Sequence, residues 1–343
     1  MVEPGPYHGR VALPAFLHRL PAAPPSLMRA LAIAAVVAQG GIAVGGSVVR
    51  VTGSGLGCPT WPECFPGSLV PTPHPEVEPI TQWIEFSNRL LTFVVVLAAG
   101  ACLIAALTTR PRRRRLTALA LVQPLGVVAQ AVIGGMVVRL GLVWWSVAVH
   151  FAVSMVLVWL AMQLVAAAGD GDAPPRRVVD GPVRGLVATS TAVLAALLVA
   201  GTFVTASGPH AGDAATPRLD VNMASVAQLH ADILFVYLGL LVGLGFALRI
   251  PTPRAAVPRS AVATPAGVWR RYLVLVAVVL AQGALGGVQY VLGVPEVLVS
   301  LHVLGAALAT VAAAALWAGL TERPHLALPE PAPTPERALA ERA

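Results

Sequence analysis

Lysine is absent from the 343 residues: all 23 basic positions are arginine. Charge of either sign is scarce, at 11% of the chain, against 57% hydrophobic residues and a mean hydropathy of +0.77. So little polar surface cannot cover a water-soluble body of this size, which excludes the soluble globular classes. Short alternating segments of the kind that build membrane barrels are also missing, which leaves helices as the spanning element. The first 26 residues have no brief apolar core followed by a small-residue cleavage site, so the first helix is expected to be retained. Cysteine is limited to three positions.

Eight apolar runs are present, each near the ~20 residues a helix needs to cross the hydrocarbon core. They lie at about 27–50, 81–107, 116–138, 143–168, 183–206, 221–248, 269–292 and 295–320. The fold class is therefore an all-α integral membrane protein. The sequence pI of about 10.3 invites a nucleic-acid reading, but the arginines cluster in loops rather than on one soluble face. Arg110 and Arg112 to Arg115, then Arg176, Arg177 and Arg184, then Arg249, Arg254, Arg259, Arg270 and Arg271 occupy alternate connections; the opposite loops hold Arg50, Arg139 and Arg218. The positive-inside rule places both termini and the arginine-rich loops in the cytoplasm, for a multi-pass plasma-membrane protein that binds no nucleic acid.

The chain divides into a cytoplasmic tail (1–26), a first half (27–168) with an outer loop at 51–80, a Gly/Asp/Pro-rich linker (169–182), a second half (183–320) and a Pro/Ala-rich tail (321–343) expected to be disordered. The halves repeat one another. Gln130, the Gly134-Gly135 pair and His150 recur 152 positions later as Gln282, Gly286-Gly287 and His302. Val51-Thr-Gly-Ser-Gly is echoed by Val204-Thr-Ala-Ser-Gly at an offset of 153. Such a period, close to half the chain, reads as duplication of a structural unit.

The outer loop carries Cys58-Pro-Thr-Trp61-Pro-Glu-Cys64. On the oxidising side of a membrane two such thiols pair readily, so a disulfide is the first reading and two free thiols the second. Zinc is disfavoured because no neighbouring Cys or His completes four ligands; His74 alone is near. Cys102, deep in the second run, reads as inert packing.

The second run opens with Glu85-Phe-Ser-Asn88-Arg89. Glu85 and Asn88 share a helical face, some ~10 Å below the outer surface at 1.5 Å per residue. A carboxylate at that depth is expensive and normally faces a bundle interior or a cavity. An ion pair with Arg89 one turn on is the plain alternative. Asn88, His150, His230 and His302 each fall about two turns into a descending helix and share nearly one depth. Paired histidines from facing helices can hold a haem iron, and His230 with His302 fit that arrangement; Asn88 opposite His150 does not. A single intramembrane histidine is more often a helix-to-helix hydrogen-bonding residue, and three at one level in a duplicated frame argue against that reading. His8, His18, His74 and His325 fall in tails or loops, and His210 sits in an outer loop beside Asp213, either solvated or at a haem edge. Arg50, Arg139 and Arg218 are candidates for pairing with haem propionates, with interfacial snorkelling the alternative.

With these motifs in order, the sequence resembles the haem A synthase family of the cytochrome oxidase assembly pathway. The resemblance covers roughly residues 27–320 and rests on the Arg50–Gly67 loop, Glu85-Phe-Ser-Asn88-Arg89, Ser207-Gly-Pro-His210-Ala-Gly-Asp213 and the three histidines. It implies two pseudo-symmetric four-helix bundles and oxidation of the C8 methyl of haem O to the formyl group of haem A by successive hydroxylations. It also implies a haem b ligated by His230 and His302, a substrate haem at His150, Glu85 as catalytic carboxylate and a Cys58–Cys64 disulfide. Many members carry histidine where this chain has Asn88. Candidate partners are the lipid bilayer, the haem O substrate, a haem O synthase, an electron donor and a second copy of the chain. The competing classes are a non-enzymatic dihaem b-type electron carrier, which gives Glu85 no role, and a repeat-built transporter.

Overall fold

The computed structural model describes residues 20–171, 173–249 and 265–324. The tail with His8 and His18, the loop arginines Arg254 and Arg259, and the stretch with His325 lie outside these residues. Among the described residues eight helices are long and apolar enough to span a membrane: α1 (Pro25–Val51), α2 (Pro79–Thr108), α3 (Arg114–Arg139), α4 (Trp144–Gly169), α5 (Gly181–Ser207), α6 (Met223–Arg249), α7 (Pro265–Val291) and α8 (Glu296–Ala318). The chain is thus an all-α, multi-pass membrane protein. Its spans match the apolar runs to within a few residues at each end, most of them reaching a little into the polar flanks and α8 stopping short at both ends.

Local chemistry explains several ends. Proline at the first positions of α1 and α2 sits where no backbone donor is needed. Asp180 accepts a hydrogen bond from the backbone N–H of Val183 at 3.0 Å, an N-cap for α5. The turns α3–α4 and α7–α8 are the same device written twice. Gly141 and Leu142 have φ of 66° and 59°, and Gly293 and Val294 have φ of 77° and 64°. Leu142 N–H closes on the Val137 carbonyl at 2.9 Å, and Val294 N–H on that of Gln289 at 2.8 Å. This six-to-one closure satisfies carbonyls the helix end would otherwise leave open. Side chains other than glycine adopt positive φ uncommonly, so its recurrence at matched positions marks the duplication in the backbone itself.

Within the first half α1 packs on α2 and α4, and α3 on α2 and α4. In the second half α5 packs on α6 and α7 on α8, while the two hairpins touch each other sparsely. Their shared core lies toward the arginine-rich end, among Val183, Leu194, Tyr237, Leu244, Leu275 and Leu316. Toward the opposite, disulfide end, no residue of α6 before Tyr237, of α7 after Val279 or of α8 before Ala307 is buried. The second half is packed at one end and unpacked at the other. The halves meet along α1, α4 and α8, with Met155, Val158 and Ala307 buried between them and the Gln163 amide donating to the Ala314 carbonyl at 2.9 Å.

At the arginine-rich end the start of the tail, expected to be disordered, is instead paired with the linker. Arg176–Arg177 (β1) pairs antiparallel with Thr321–Glu322 (β2), and Gly171 N–H donates to the Arg323 carbonyl at 2.6 Å. Backbone groups next to a helix end need partners, and each segment supplies the other's.

Candidate functional site

Four side chains at one level of the bundle each rest against a glycine of the preceding helix. A Cβ built on Gly134 would lie 3.2 Å from Cε1 of His150, one on Gly201 3.2 Å from Cε1 of His230, and one on Gly286 2.9 Å from Cε1 of His302. The fourth seat is Gly45, whose Cβ would lie 2.5 Å from Oδ1 of Asn88. The missing side chain lets each ring or amide lie against backbone. His150, His230 and His302 sit six or seven residues into their helices, and Asn88 nine.

The two halves use these seats differently. In the second half the imidazoles of His230 and His302 face each other with ring centroids 6.5 Å apart and planes at 62°. Two imidazole nitrogens each about 2 Å from one metal ion would put the centroids roughly 6 Å apart, so the pair suits a bis-histidine iron. It faces the unpacked end described above, where the hairpins leave their inner surfaces uncovered. Nδ1 of His150, of His230 and of His302 is in each case buried without a hydrogen-bond partner. Among the described residues no three His, Cys, Asp or Glu gather as a metal cluster; an iron already held by four porphyrin nitrogens asks the protein only for axial ligands.

In the first half the matched positions are His150 and Asn88, and the outer loop is fastened beside them, to Glu85 and Arg89 on one helix and to Gly135 and Arg139 on another. The Glu85 carboxylate, 5% exposed, accepts from the Cys58 N–H at 2.7 Å through Oε2 and from Arg89 at 2.6 and 3.1 Å through Oε1. The same guanidinium donates to the carbonyls of Cys58 at 2.8 Å, Thr60 at 3.0 Å and Glu63 at 3.1 Å. Cys58 and Cys64 form a disulfide with a Cα separation of 4.3 Å, and both are fully buried with Phe65. Two sequence readings of Glu85, ion pair and buried carboxylate, are therefore both realised. The loop's Trp61 lies on Gly135, where a Cβ would fall 2.4 Å from the indole, and Arg139 donates to the Trp61 carbonyl at 3.0 Å. The Gly134-Gly135 pair thus serves His150 on one side and the outer loop on the other. Its repeat Gly286-Gly287 serves only His302, since nothing lies within 4 Å of a Cβ on Gly287.

The remaining outer residues are tied into loops. Arg50 donates to the Thr205 carbonyl at 2.6 Å, and Arg218 donates to those of Gly208 at 2.6 Å and of Pro209. Arg50 thus caps the last turn of α5, where open carbonyls favour positive charge, and Arg218 holds the two residues just beyond it. His210 Nε2 bonds the Val294 carbonyl at 2.9 Å, joining the α5–α6 loop to the α7–α8 turn. Gly55 N–H donates to the Gly212 carbonyl at 2.7 Å, so the echoed loops are joined directly. Sequence reasoning passed over Asp232, an exposed carboxylate inside α6 bonded to the Gln228 amide at 2.7 Å; its signal was an acidic residue within an apolar run. It also passed over Arg89 as the residue that holds the outer loop, and the signal there was the i,i+4 spacing to Glu85.

Comparison with known proteins adds an independent line. Residues 29–223 match the family model COX15-CtaA, described as cytochrome oxidase assembly protein. The chain is also similar to a protein of Lysinibacillus sphaericus (strain C3-41) named heme A synthase, 36% identical over 126 residues. That match takes in 36% of this chain and 39% of the relative's length.

Proposed function

Because the chain belongs to the COX15-CtaA family of cytochrome oxidase assembly proteins, we propose that it is a haem A synthase, oxidising the C8 methyl group of haem O to the formyl group of haem A. The observation that carries this reading is the asymmetry of the four seats. Two facing imidazoles, His230 and His302, suit a permanent haem b, and the half with His150 opposite Asn88 suits a haem that must react. His230 and His302 would hold that haem b, which would supply electron transfer.

The chain's own residues do the rest. His150, pressed against Gly134, orients the substrate haem from one side; Asn88, against Gly45, offers an amide in place of a second imidazole. Methyl to formyl is a four-electron oxidation through an alcohol and a geminal diol that loses water; with dioxygen as oxidant each hydroxylation takes one O2, two electrons and two protons and releases one water, so charge develops beside the ring and protons must be moved there. Glu85, held in place by the Cys58 N–H and Arg89, is the fixed carboxylate of that half, able to stabilise developing positive charge or accept a proton. The buried Cys58–Cys64 lid and Trp61 keep water from the site. The arginine-rich end faces the cytoplasm of a plasma membrane, by the positive-inside rule, and the seats lie toward the outer leaflet. Haem O arrives from a haem O synthase, and an electron donor serves the second half.

The test is pigment extraction from membranes co-expressing this chain with a haem O source under oxic conditions. Formyl-bearing haem should accumulate, and Glu85→Ala should abolish it while the bound haem b spectrum persists. Haem O alone in the wild type would sink the reading. Undiminished conversion in the variant would remove Glu85 from the reaction, whereas a dihaem electron carrier would give no formyl-bearing haem with either protein.

A further inference from the structure

One residue of each repeat has no role in the reading above. Gln130 and Gln282 stand one turn before the seat glycines Gly134 and Gly286, on the same helical face. Each reaches across to the helix that carries the histidine. The Gln130 amide donates to the His150 backbone carbonyl at 3.1 Å, and that of Gln282 to the His302 carbonyl at 2.7 Å. Neither bond is needed for helix formation, since those carbonyls already belong to helical turns.

The two copies differ in support. In the first half Ser154, one turn beyond His150, also donates to the His150 carbonyl at 2.9 Å and lies 2.5 Å from the Gln130 amide nitrogen. In the second half the matching residue is Ala306, so Gln282 acts without a hydroxyl. It is instead held by a socket: a Cβ on Gly305 would fall 1.8 Å from the Gln282 oxygen. Any side chain at 305 expels that amide. The oxygen itself is buried without a hydrogen-bond partner, so it is tolerated there for what the nitrogen does.

We propose that Gln282, admitted by the Gly305 socket, is the positioning residue that sets the height of His302 against Gly286 and so brings its imidazole level with His230. Gln130 does the same for His150 with Ser154 sharing the load. This rests on the haem reading of the second half. The physical reason is that a ligand's position is only as defined as the turn of helix that carries it. At the unpacked end of this half no buried apolar residue of α7 or α8 holds that turn.

The experiment uses full-length protein purified in detergent and loaded with haem b. Readouts are haem affinity by absorbance titration, the low-spin electron paramagnetic resonance signal, and thermal stability of the haem-free protein. Gln282→Leu keeps the volume and loses the donor. It should lower haem affinity about 10- to 100-fold, the usual cost of removing an outer-shell partner, and broaden the low-spin signal. Gly305→Ala, on the other helix, should reproduce both effects. The double variant should be no worse than either single, because both remove one contact. Gln130→Leu should leave this signal unchanged.

Wild-type protein without a low-spin bis-histidine signal would overturn the haem reading and this inference together. A wild-type signal that Gln282→Leu leaves unchanged in affinity and line shape would overturn the inference alone. So would additive losses in the double variant, or a fall in haem-free stability with an unaltered signal, either of which marks Gln282 as ordinary packing.

Discussion

The guanidinium of Arg89 closes on the carboxylate of Glu85 at 2.6 Å and also donates to three carbonyls of the Cys58–Cys64 loop. One ion pair thereby fastens an extramembrane loop to the first turns of a spanning helix. Because Glu85 spends one oxygen on Arg89 and the other on the Cys58 N–H, lid and carboxylate are a single mechanical unit.

Removing either partner should therefore have different consequences. Arg89→Leu leaves a buried carboxylate unpaired and three carbonyls open, and should destabilise the protein by about 3–5 kcal/mol. Glu85→Gln keeps an acceptor for the Cys58 N–H and removes only the charge, so stability should fall far less while haem A formation is lost. Thermal unfolding in detergent alongside extracted-haem analysis checks both; equal stability losses would show the charge, not the geometry, holds the lid.

Reduction of the disulfide should loosen the same unit. Closing so short a loop removes about 2–3 kcal/mol of unfolded-state entropy in the chain-entropy model. Cys64→Ser should lower the melting temperature, and a phosphine reductant should do the same to wild type but not to the variant. Thiol labelling of intact protein should report two new reactive groups on reduction, with Cys102 staying buried.

Asn88 occupies a seat built like those of the three histidines. Asn88→His should place a fourth imidazole at that level, and a second low-spin haem signal should appear in protein loaded with excess haem. A spectrum that stays at one low-spin haem would mean that the Gly45 seat, where an added Cβ would lie 2.5 Å from the present amide oxygen, is too tight for a ring.

Trp61 and Gly135 form the contact by which the lid reaches the His150 seat. Gly135→Val should displace the indole, since even a Cβ falls 2.4 Å from it. Trp61→Ala should remove the lid's wedge and leave Gly135 harmless. Both should speed the release of haem from the first half in a haem-transfer assay with apomyoglobin while leaving the second half's spectrum unchanged; identical release rates in all three proteins would remove Trp61 from the site.

The eight spans were legible because crossing a hydrocarbon core demands unbroken apolar length, and composition records length directly. The duplication was legible in Gln130, Gly134 and His150 and their repeats because matched roles keep matched residue types, and the paired positive-φ turns at Leu142 and Val294 bear it out in the backbone. The disulfide was legible from two closely spaced cysteines in one loop. The linker and the start of the tail were not, because the pairing of Arg177 with Thr321 joins segments far apart in the chain and shows no composition of its own.

By itself, then, the sequence determined the number, order and approximate ends of the helices and the common depth of Asn88, His150, His230 and His302. Each depends only on apolar run length and on a fixed rise per residue. Tertiary structure decided which of those side chains meet. His230 faces His302 because the second half's hairpins part at the disulfide end. Glu85 lies under a lid because Arg89 turns toward the loop rather than toward lipid. Rotation and spacing between helices come from packing of many distant residues at once, and no local pattern along the chain carries that sum.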